Sequence, residues 1–175
     1  MGETNKNLWA PWRLEYVKSL SGESSDGCFL CRYAETPEKD RDNLVIWRTD
    51  RCFALFNRFP YANGHLLIAP LAHRPELHDL DEPTLHELIC LTRDAQRLVR
   101  AATGCHGSNV GMNFGKCAGA GLPGHLHMHV VPRWEGDINF MSVLSDTRVI
   151  PQSFEALREA MAEAIGQLGL PPLRG

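Results

Sequence analysis

Five short stretches enriched in β-branched, aromatic and aliphatic residues recur along the chain, and turn-forming residues separate them. The stretches are Leu44 to Arg48, Cys52 to Asn57, His65 to Ala69, Val110 to Phe114 and Leu126 to Pro132. Turn sequences such as Arg-Thr-Asp-Arg and Pro-Tyr-Ala-Asn-Gly lie between the first three. This spacing predicts an antiparallel sheet of about five strands.

Two other segments have the helical period. From about Glu82 to Ala102, apolar residues recur every three or four positions, which predicts a long helix with one buried face. Asp81 is a favourable N-cap and Gly104 a favourable end for it. A second helix is predicted to begin after Ser153 and to end near Leu168. Strands and helices in this order predict the α+β class.

The chain is short enough for one globular domain with additions at its ends. It has 175 residues, and domains usually span roughly 100–200. We expect an N-terminal arm with a cysteine pair at 1–43, a main domain at 44–145, and a C-terminal helix and tail at 146–175. No repeat or compositional break requires a second domain.

Composition and charge narrow the classes of partner. The hydrophobic and charged shares, 43% and 22%, are ordinary for a globular protein. A net charge of -3 provides no broad basic surface, so we expect no nucleic-acid partner. No stretch approaches the roughly 20 apolar residues of a membrane helix, and the first residues lack a signal-peptide pattern, so we expect no membrane partner. We therefore expect a cytoplasmic protein with mostly reduced thiols.

Three alternating histidines are the main chemical signal. In an extended strand His125, His127 and His129 point to one face, roughly 6.6 Å apart, while the apolar residues between them point to the other. Three imidazoles in a row have no packing advantage over aliphatic residues, and imidazole can act as nucleophile, acid, base or metal ligand. The pattern therefore favours a functional site. A polar, solvent-facing strand and a pure metal site are the alternatives.

The loop before the histidines is rich in glycine. Residues 115–124 contain four glycines, and backbone without side chains can approach a phosphate closely and donate N–H groups to it. A hairpin loop without a ligand would have the same composition. The neighbouring histidines favour the phosphate interpretation.

Cys28 and Cys31 have the two-residue spacing at which both thiolates can bind one zinc ion. A redox dithiol and two core cysteines are the other interpretations of such a pair. The four remaining cysteines have no partner at this spacing.

Two segments resemble one known family in sequence and in order. Residues 124–133, Gly-His-Leu-His-Met-His-Val-Val-Pro-Arg, are similar to the signature of the histidine triad (HIT) family, and residues 57–70 resemble its upstream nucleotide-binding strands. The resemblance implies an α+β, HIT-like fold whose antiparallel sheet continues across a homodimer. The segment 44–145 would then be the nucleotide-binding domain.

The resemblance also implies an activity. Members of the branch that this chain most resembles, the bacterial diadenosine tetraphosphate phosphorylases, cleave the α-phosphate linkage of adenine nucleotides such as diadenosine polyphosphates. The middle histidine, here His127, would attack the α-phosphorus, and water or inorganic phosphate would release the nucleotidyl group. His129 and His65 would contact the phosphate, and Asn57 the ribose hydroxyls. The backbone of Gly119, Ala120 and Gly121 would hold the phosphate.

A structural zinc site is implied as well. Many relatives hold zinc with such a cysteine pair, a histidine after the third strand and the first triad histidine. Cys28, Cys31, His73 and His125 match these positions, and His78 is the alternative to His73.

Other functions are compatible with the same residues. A nucleoside phosphoramidate hydrolase, a nucleotide-binding module without turnover and a zinc-stabilised interaction protein all remain as alternatives. Relatives carry glutamine, serine or threonine shortly before the triad, where this chain has Gly121, Leu122 and Pro123. The choice between hydrolysis and phosphorolysis therefore stays open at this stage.

Overall fold

A five-stranded antiparallel sheet forms the centre of the protein. The computed structural model describes residues 27–137 and 150–174. The strands are β1 (Val45–Arg48), β2 (Cys52–Phe56), β3 (Leu66–Pro70), β4 (Gly107–Met112) and β5 (Met128–Arg133), in the spatial order β1-β2-β3-β5-β4. Every neighbouring pair is antiparallel. The predicted sheet is confirmed.

Three α-helices accompany the sheet within the described residues: α1 (Phe29–Glu35), α2 (Glu82–Thr103) and α3 (Phe154–Leu168). The predicted caps are present on the two long helices. Asp81 accepts a hydrogen bond from the Thr84 amide, and Ser153 from the Ala156 amide. Gly104 ends α2 in the left-handed conformation, with φ 65°. A side chain there would be strained.

The structure differs from the predicted elements by more than one residue in three places. The fourth strand covers Gly107–Met112 rather than Val110 to Phe114, because its pairing with β5 continues to Gly107 opposite Arg133. The fifth strand begins at Met128, two residues later than predicted. Helix α1 was not predicted, since the side chain of Cys28 makes no capping bond and the helix has only seven residues.

The two faces of the sheet have different neighbours. One face, which we call the helix face, includes Ile46, Phe56, Ile68 and Val130 and packs against α2, which in turn packs against α3. On the opposite face, which we call the site face, Val45, Phe53 and Leu67 pack with Leu30 of α1. The rest of the site face carries the histidines described below. In the described part of the chain, no helix is both long and apolar enough to cross a membrane.

A buried ion pair and two hydrogen bonds connect β1, at the edge of the sheet, to the end of α1 and the residues after it. Arg48 on β1 forms a bidentate contact with Asp40, and the two side chains are only 8% and 5% exposed. Arg48 also donates to the backbone carbonyls of Tyr33 and Ala34 at the end of α1. The remaining backbone edge of β1 is partly covered by the C-terminal tail, whose Arg174 amide donates to the Ile46 carbonyl at 2.9 Å.

We expect Asp40→Ala to lower the free energy of unfolding by roughly 3 kcal/mol, because it leaves a buried guanidinium without its counter-ion. Urea denaturation followed by circular dichroism measures this change. Glu155→Ala is the matched control, since it breaks the Arg41–Glu155 pair, whose side chains are 57% and 60% exposed. The control should change stability by less than about 1 kcal/mol. Equal effects of the two substitutions would contradict this account of the pair.

Candidate active site

The alternation along β5 divides its side chains between the two faces of the sheet. Met128 and Val130 belong to the core of the helix face, so His129 lies on the site face. His125 and His127 continue the same alternation just before the strand. Pairing of β3 with β5 sets Leu67 opposite His129, and His65 immediately precedes β3. The sheet therefore brings His65 and the triad histidines to one face.

The hydrogen bond of His127 determines which of its ring nitrogens is free. Its Nδ1 lies 2.8 Å from the carbonyl oxygen of His125. A carbonyl only accepts, so Nδ1 carries the proton and Nε2 keeps its lone pair. The side chain is almost buried, and this burial lowers the pKa of His127. The ring is therefore neutral near pH 7, with an unprotonated nitrogen available for nucleophilic attack.

His65 and His129 form a second ordered pair. The Tyr61 amide donates to His65 Nδ1 at 3.0 Å, so the proton of neutral His65 is on Nε2. That Nε2 lies 2.9 Å from His129 Nδ1 and donates to it, which leaves Nε2–H of His129 as a donor. Burial, followed by the proximity of His127, lowers the pKa of His129 to about 4. His129 can thus donate a hydrogen bond without carrying a charge.

Asn57, the first residue after β2, contacts His65 of this pair. Its Oδ1 accepts the Phe59 amide at 3.0 Å, so its Nδ2 faces His65 Nδ1 at 3.2 Å. The amide group thus supports the same tautomer of His65 as the Tyr61 amide does. Sequence reasoning treated Tyr61 only as part of a turn. The Tyr61 ring contacts the rings of His65 and His129 only because the loop folds over them, and the sequence contains no signal of this contact.

The glycine-rich loop uses part of its backbone to fold on itself. The amides of Gly119 and Ala120 donate to the carbonyls of Lys116 and Gly115. Gly119 is left-handed, with φ 87°, and ends a short 3-10 helix at Lys116–Ala118. For Gly121, no acceptor of its amide is found among the described residues.

The four residues of the implied zinc set lie together at the edge of the site face. Ligand atoms of Cys28, Cys31, His73 and His125 all lie within 4.8 Å of one another. Individual contacts are 3.2 Å from Cys28 Sγ to His125 Nδ1 and 3.2 Å from Cys31 Sγ to His73 Nδ1. Tetrahedral zinc with Zn–S of about 2.3 Å and Zn–N of about 2.0 Å needs ligand separations of roughly 3.3–3.8 Å. The donor set and its spacing therefore fit zinc.

Contacts around this cluster support ligation through His125 Nδ1. Its Nε2–H donates to the Pro70 carbonyl at 2.9 Å, so Nδ1 has a lone pair that faces both thiols. Burial is the main cause that lowers the pKa of His125 to about 4 and raises the pKa of Cys31 to about 11. The alternative residue, His78, is 81% exposed, lies near Asp79 and is not a member of the cluster.

The other cysteines differ in burial. Cys52 and Cys105 are buried and Cys117 is exposed. Cys90 is only half-buried, and its thiol contacts His86 at 3.5 Å. It faces outward because it lies beside the buried stripe of α2. Of the expected arm at 1–43, residues 1–26 lie outside the described part of the chain.

Fold, histidine geometry and metal-ligand cluster together define a histidine triad protein. The profile of the HIT domain matches residues 38–136, more than half of the chain. The chain belongs to the HIT domain family.

Two curated relatives and one solved structure are similar to this chain. A Mycobacterium tuberculosis protein named AP-4-A phosphorylase is 36% identical over 161 residues, which cover 90% of this chain and 83% of that protein. An asymmetrical bis(5'-nucleosyl)-tetraphosphatase of Schizosaccharomyces pombe is 33% identical over 95 residues, or 54% of this chain and 52% of that protein. The solved structure of a zinc-bound histidine triad family protein from Mycobacterium smegmatis has a TM-score of 0.64 at 26% identity. It matches 83% of this chain and 98% of its own.

Proposed function

We propose that this protein is a diadenosine polyphosphate phosphorylase that works through a nucleotidyl-histidine intermediate on His127. The tautomer of His127 carries the proposal: Nδ1–H is held by the His125 carbonyl at 2.8 Å, and Nε2 is unprotonated. Such a ring meets the two requirements of a nitrogen nucleophile, a free lone pair and a fixed orientation. The relative named AP-4-A phosphorylase, which aligns along most of both chains, supports the substrate class.

The proposed reaction has two displacements at one phosphorus. His127 Nε2 forms a bond to the α-phosphorus of diadenosine tetraphosphate, and the bond from that phosphorus to the bridging oxygen breaks, which releases ATP. An oxygen of inorganic phosphate then attacks the same phosphorus and breaks the N–P bond. The products are ADP and ATP, and His127 returns to its starting state. If water attacked instead, AMP would replace ADP.

The neighbouring groups fit the charge that develops during this transfer. His129 Nε2–H would donate to a non-bridging oxygen of the α-phosphate, and His65 would hold His129 in the donating tautomer. Asn57 would contact the ribose. In the loop of Gly119, Ala120 and Gly121, the Gly121 amide is the one without an acceptor in the described chain, and we assign it to the phosphate. Lowered pKa values keep His127 and His129 neutral, so the site attracts phosphate through directed hydrogen bonds.

Hydrolysis is the second candidate outcome of the same intermediate. The relative named asymmetrical bis(5'-nucleosyl)-tetraphosphatase favours it, although the alignment covers about half of each chain. We prefer phosphorolysis because the relative with the longer alignment carries the phosphorylase name.

To test the proposal, purified protein is incubated with diadenosine tetraphosphate with and without inorganic phosphate, and the products are separated by anion-exchange chromatography. We expect ADP and ATP, formed only with phosphate, and a loss of at least about 1000-fold in kcat for His127→Gly, because that variant lacks the nucleophile. AMP binding, measured by calorimetry, should persist in His127→Gly.

His86→Gly is the control for loss of an imidazole, since His86 is exposed on α2. It should turn over the substrate like the wild type. AMP and ATP as products without phosphate would show hydrolysis instead. Full activity of His127→Gly would remove His127 from the nucleophile's role.

We further propose that Cys28, Cys31, His73 and His125 hold a structural zinc ion. When bound, the ion would join α1 to the segments that follow β3 and precede β5. Four protein ligands leave no open position for a reacting water. The zinc-bound relative of known structure supports the choice of metal.

We expect one zinc per chain by elemental analysis, and less than a quarter of that for Cys31→Ser. Chelation should lower the melting temperature of the wild type by roughly 10 °C, because metal binding stabilises the folded state. The Cys31→Ser variant should already melt low and should not respond to chelator. Cys90→Ser makes the same change outside the cluster and should keep its zinc. A metal-free wild type with unchanged stability after chelation would refute this assignment.

Two exposed apolar residues support the expected homodimer. Among the described strands β4 pairs only with β5, so its outer edge is open. Val110 on β4 is 46% exposed and Ile89 on α2 is 57% exposed. We propose that β4 of a second copy continues the sheet at this edge.

The six cysteines, none of which forms a disulfide, agree with a reducing, cytoplasmic location.

Val110→Lys should convert the dimer to a monomer, because it puts a charge into the apolar contact between the two copies. Sedimentation velocity at micromolar concentration measures the change. Leu77→Lys, at a residue 39% exposed outside the sheet, serves as the control and should remain dimeric. A wild type that sediments as a monomer would exclude the proposed assembly.

A further inference from the structure

Tyr61 contacts both members of the His65–His129 pair. Its backbone amide donates to His65 Nδ1 at 3.0 Å. Its ring centroid lies 4.7 Å from that of His65 and 5.8 Å from that of His129. The Tyr61 and His129 rings are nearly parallel, at 20°, which is an offset-stacked arrangement.

The exposures of Tyr61 and His65 show what the tyrosine covers. Tyr61 is 42% exposed, whereas His65 is 1% exposed. One part of the tyrosine therefore faces solvent while its ring packs on the two imidazoles. The loop from Asn57 to Gly64, which joins β2 to β3, holds the ring in this place.

We propose that Tyr61 is a positioning residue for nucleotidyl transfer: its stacked ring holds His129 in the orientation that directs Nε2–H toward the phosphate. This inference rests on the proposed function. The stacking acts on ring orientation, and the hydrogen bond from His65 acts on proton position. Together they define the direction in which His129 Nε2–H points and the position of the proton. With the hydrogen bond to Nδ1 alone, the His129 ring could still rotate about that hydrogen bond.

The ring also lies against the His129 imidazole and covers part of it. Among the residues that the structure describes, three ionisable side chains face this imidazole: His127 on the same segment, His65 from the start of β3, and Tyr61 from the loop. Burial is the largest cause of the lowered pKa of His129. A stacked aromatic face favours an imidazolium by about 0.5–1 kcal/mol at partly exposed sites. We expect the ring's own contribution to the burial of His129 to outweigh this attraction, so removal of the ring should raise the pKa of His129.

The test uses the full chain with 15N-labelled histidine and compares Tyr61→Leu with Tyr61→Phe. NMR titration gives the pKa and the tautomer of His129, and steady-state kinetics with diadenosine tetraphosphate give kcat and KM. For Tyr61→Leu we expect a pKa of His129 raised by about one unit. We also expect kcat to fall about tenfold with KM changed less than twofold, because the ring acts through His129 rather than on bound substrate. Tyr61→Phe keeps the ring and should have the same pKa and tautomer of His129, kcat and KM as the wild type.

Phe59→Leu is the matched control for the pKa. It removes an aromatic ring from the same loop, 77% exposed and without a ring contact to either histidine in the described structure. It should leave the pKa of His129 unchanged. If Tyr61→Leu does not fold, Tyr61→Met replaces it, with the same expectations.

Identical pKa, tautomer and kcat in Tyr61→Leu and Tyr61→Phe would overturn the positioning role. A rise in KM with unchanged kcat would also overturn it, since it would mean direct contact with substrate. Failure of the proposed function is recognised separately, as absence of turnover and of nucleotide binding in the wild type. The NMR titration needs no turnover and still decides whether Tyr61 controls His129.

Discussion

The arrangement of the site depends on the three contacts of His125. Its carbonyl accepts a hydrogen bond from Nδ1–H of His127, its Nε2–H donates to the Pro70 carbonyl, and its Nδ1 faces the two thiols. One residue thus orients the proposed nucleophile with its backbone and the metal cluster with its side chain. Because the Pro70 carbonyl belongs to β3, the orientation of both is tied to the pairing of β3 with β5.

The site face therefore holds two chemically different sites side by side. His125 turns toward the cysteines, while His127 and His129 lie with ring centroids 5.0 Å apart and serve the proposed phosphate pocket. Both sites need neutral imidazoles, and burial supplies them by lowering the pKa of His125, His127 and His129. The same physical effect thus provides a lone pair for the proposed metal, a lone pair for the proposed attack on phosphorus and an uncharged donor.

The extent to which sequence anticipated this structure differs between elements. The long helices α2 and α3 and their caps were predictable because their signals are local: an apolar stripe, a capping side chain and a terminal glycine. The bounds of β4 and β5 were not, because strand ends follow the register with a distant partner. Helix α1 had no local signal either. Its position follows from Leu30, from the Arg48–Asp40 pair and from the cysteines, all of which contact distant segments.

The sequence by itself determined the fold class, the family, and which residue types could carry the chemistry, since alternation, helical period and motif spacing are properties of neighbours along the chain. Only the tertiary structure decided which imidazole nitrogen is free, that His73 rather than His78 lies by the thiols, and that Tyr61 stacks on His129. Those features depend on backbone carbonyls and side chains from strands far apart in sequence. Sheet pairing sets the distances between these groups, and the spacing of residues along the sequence does not predict them.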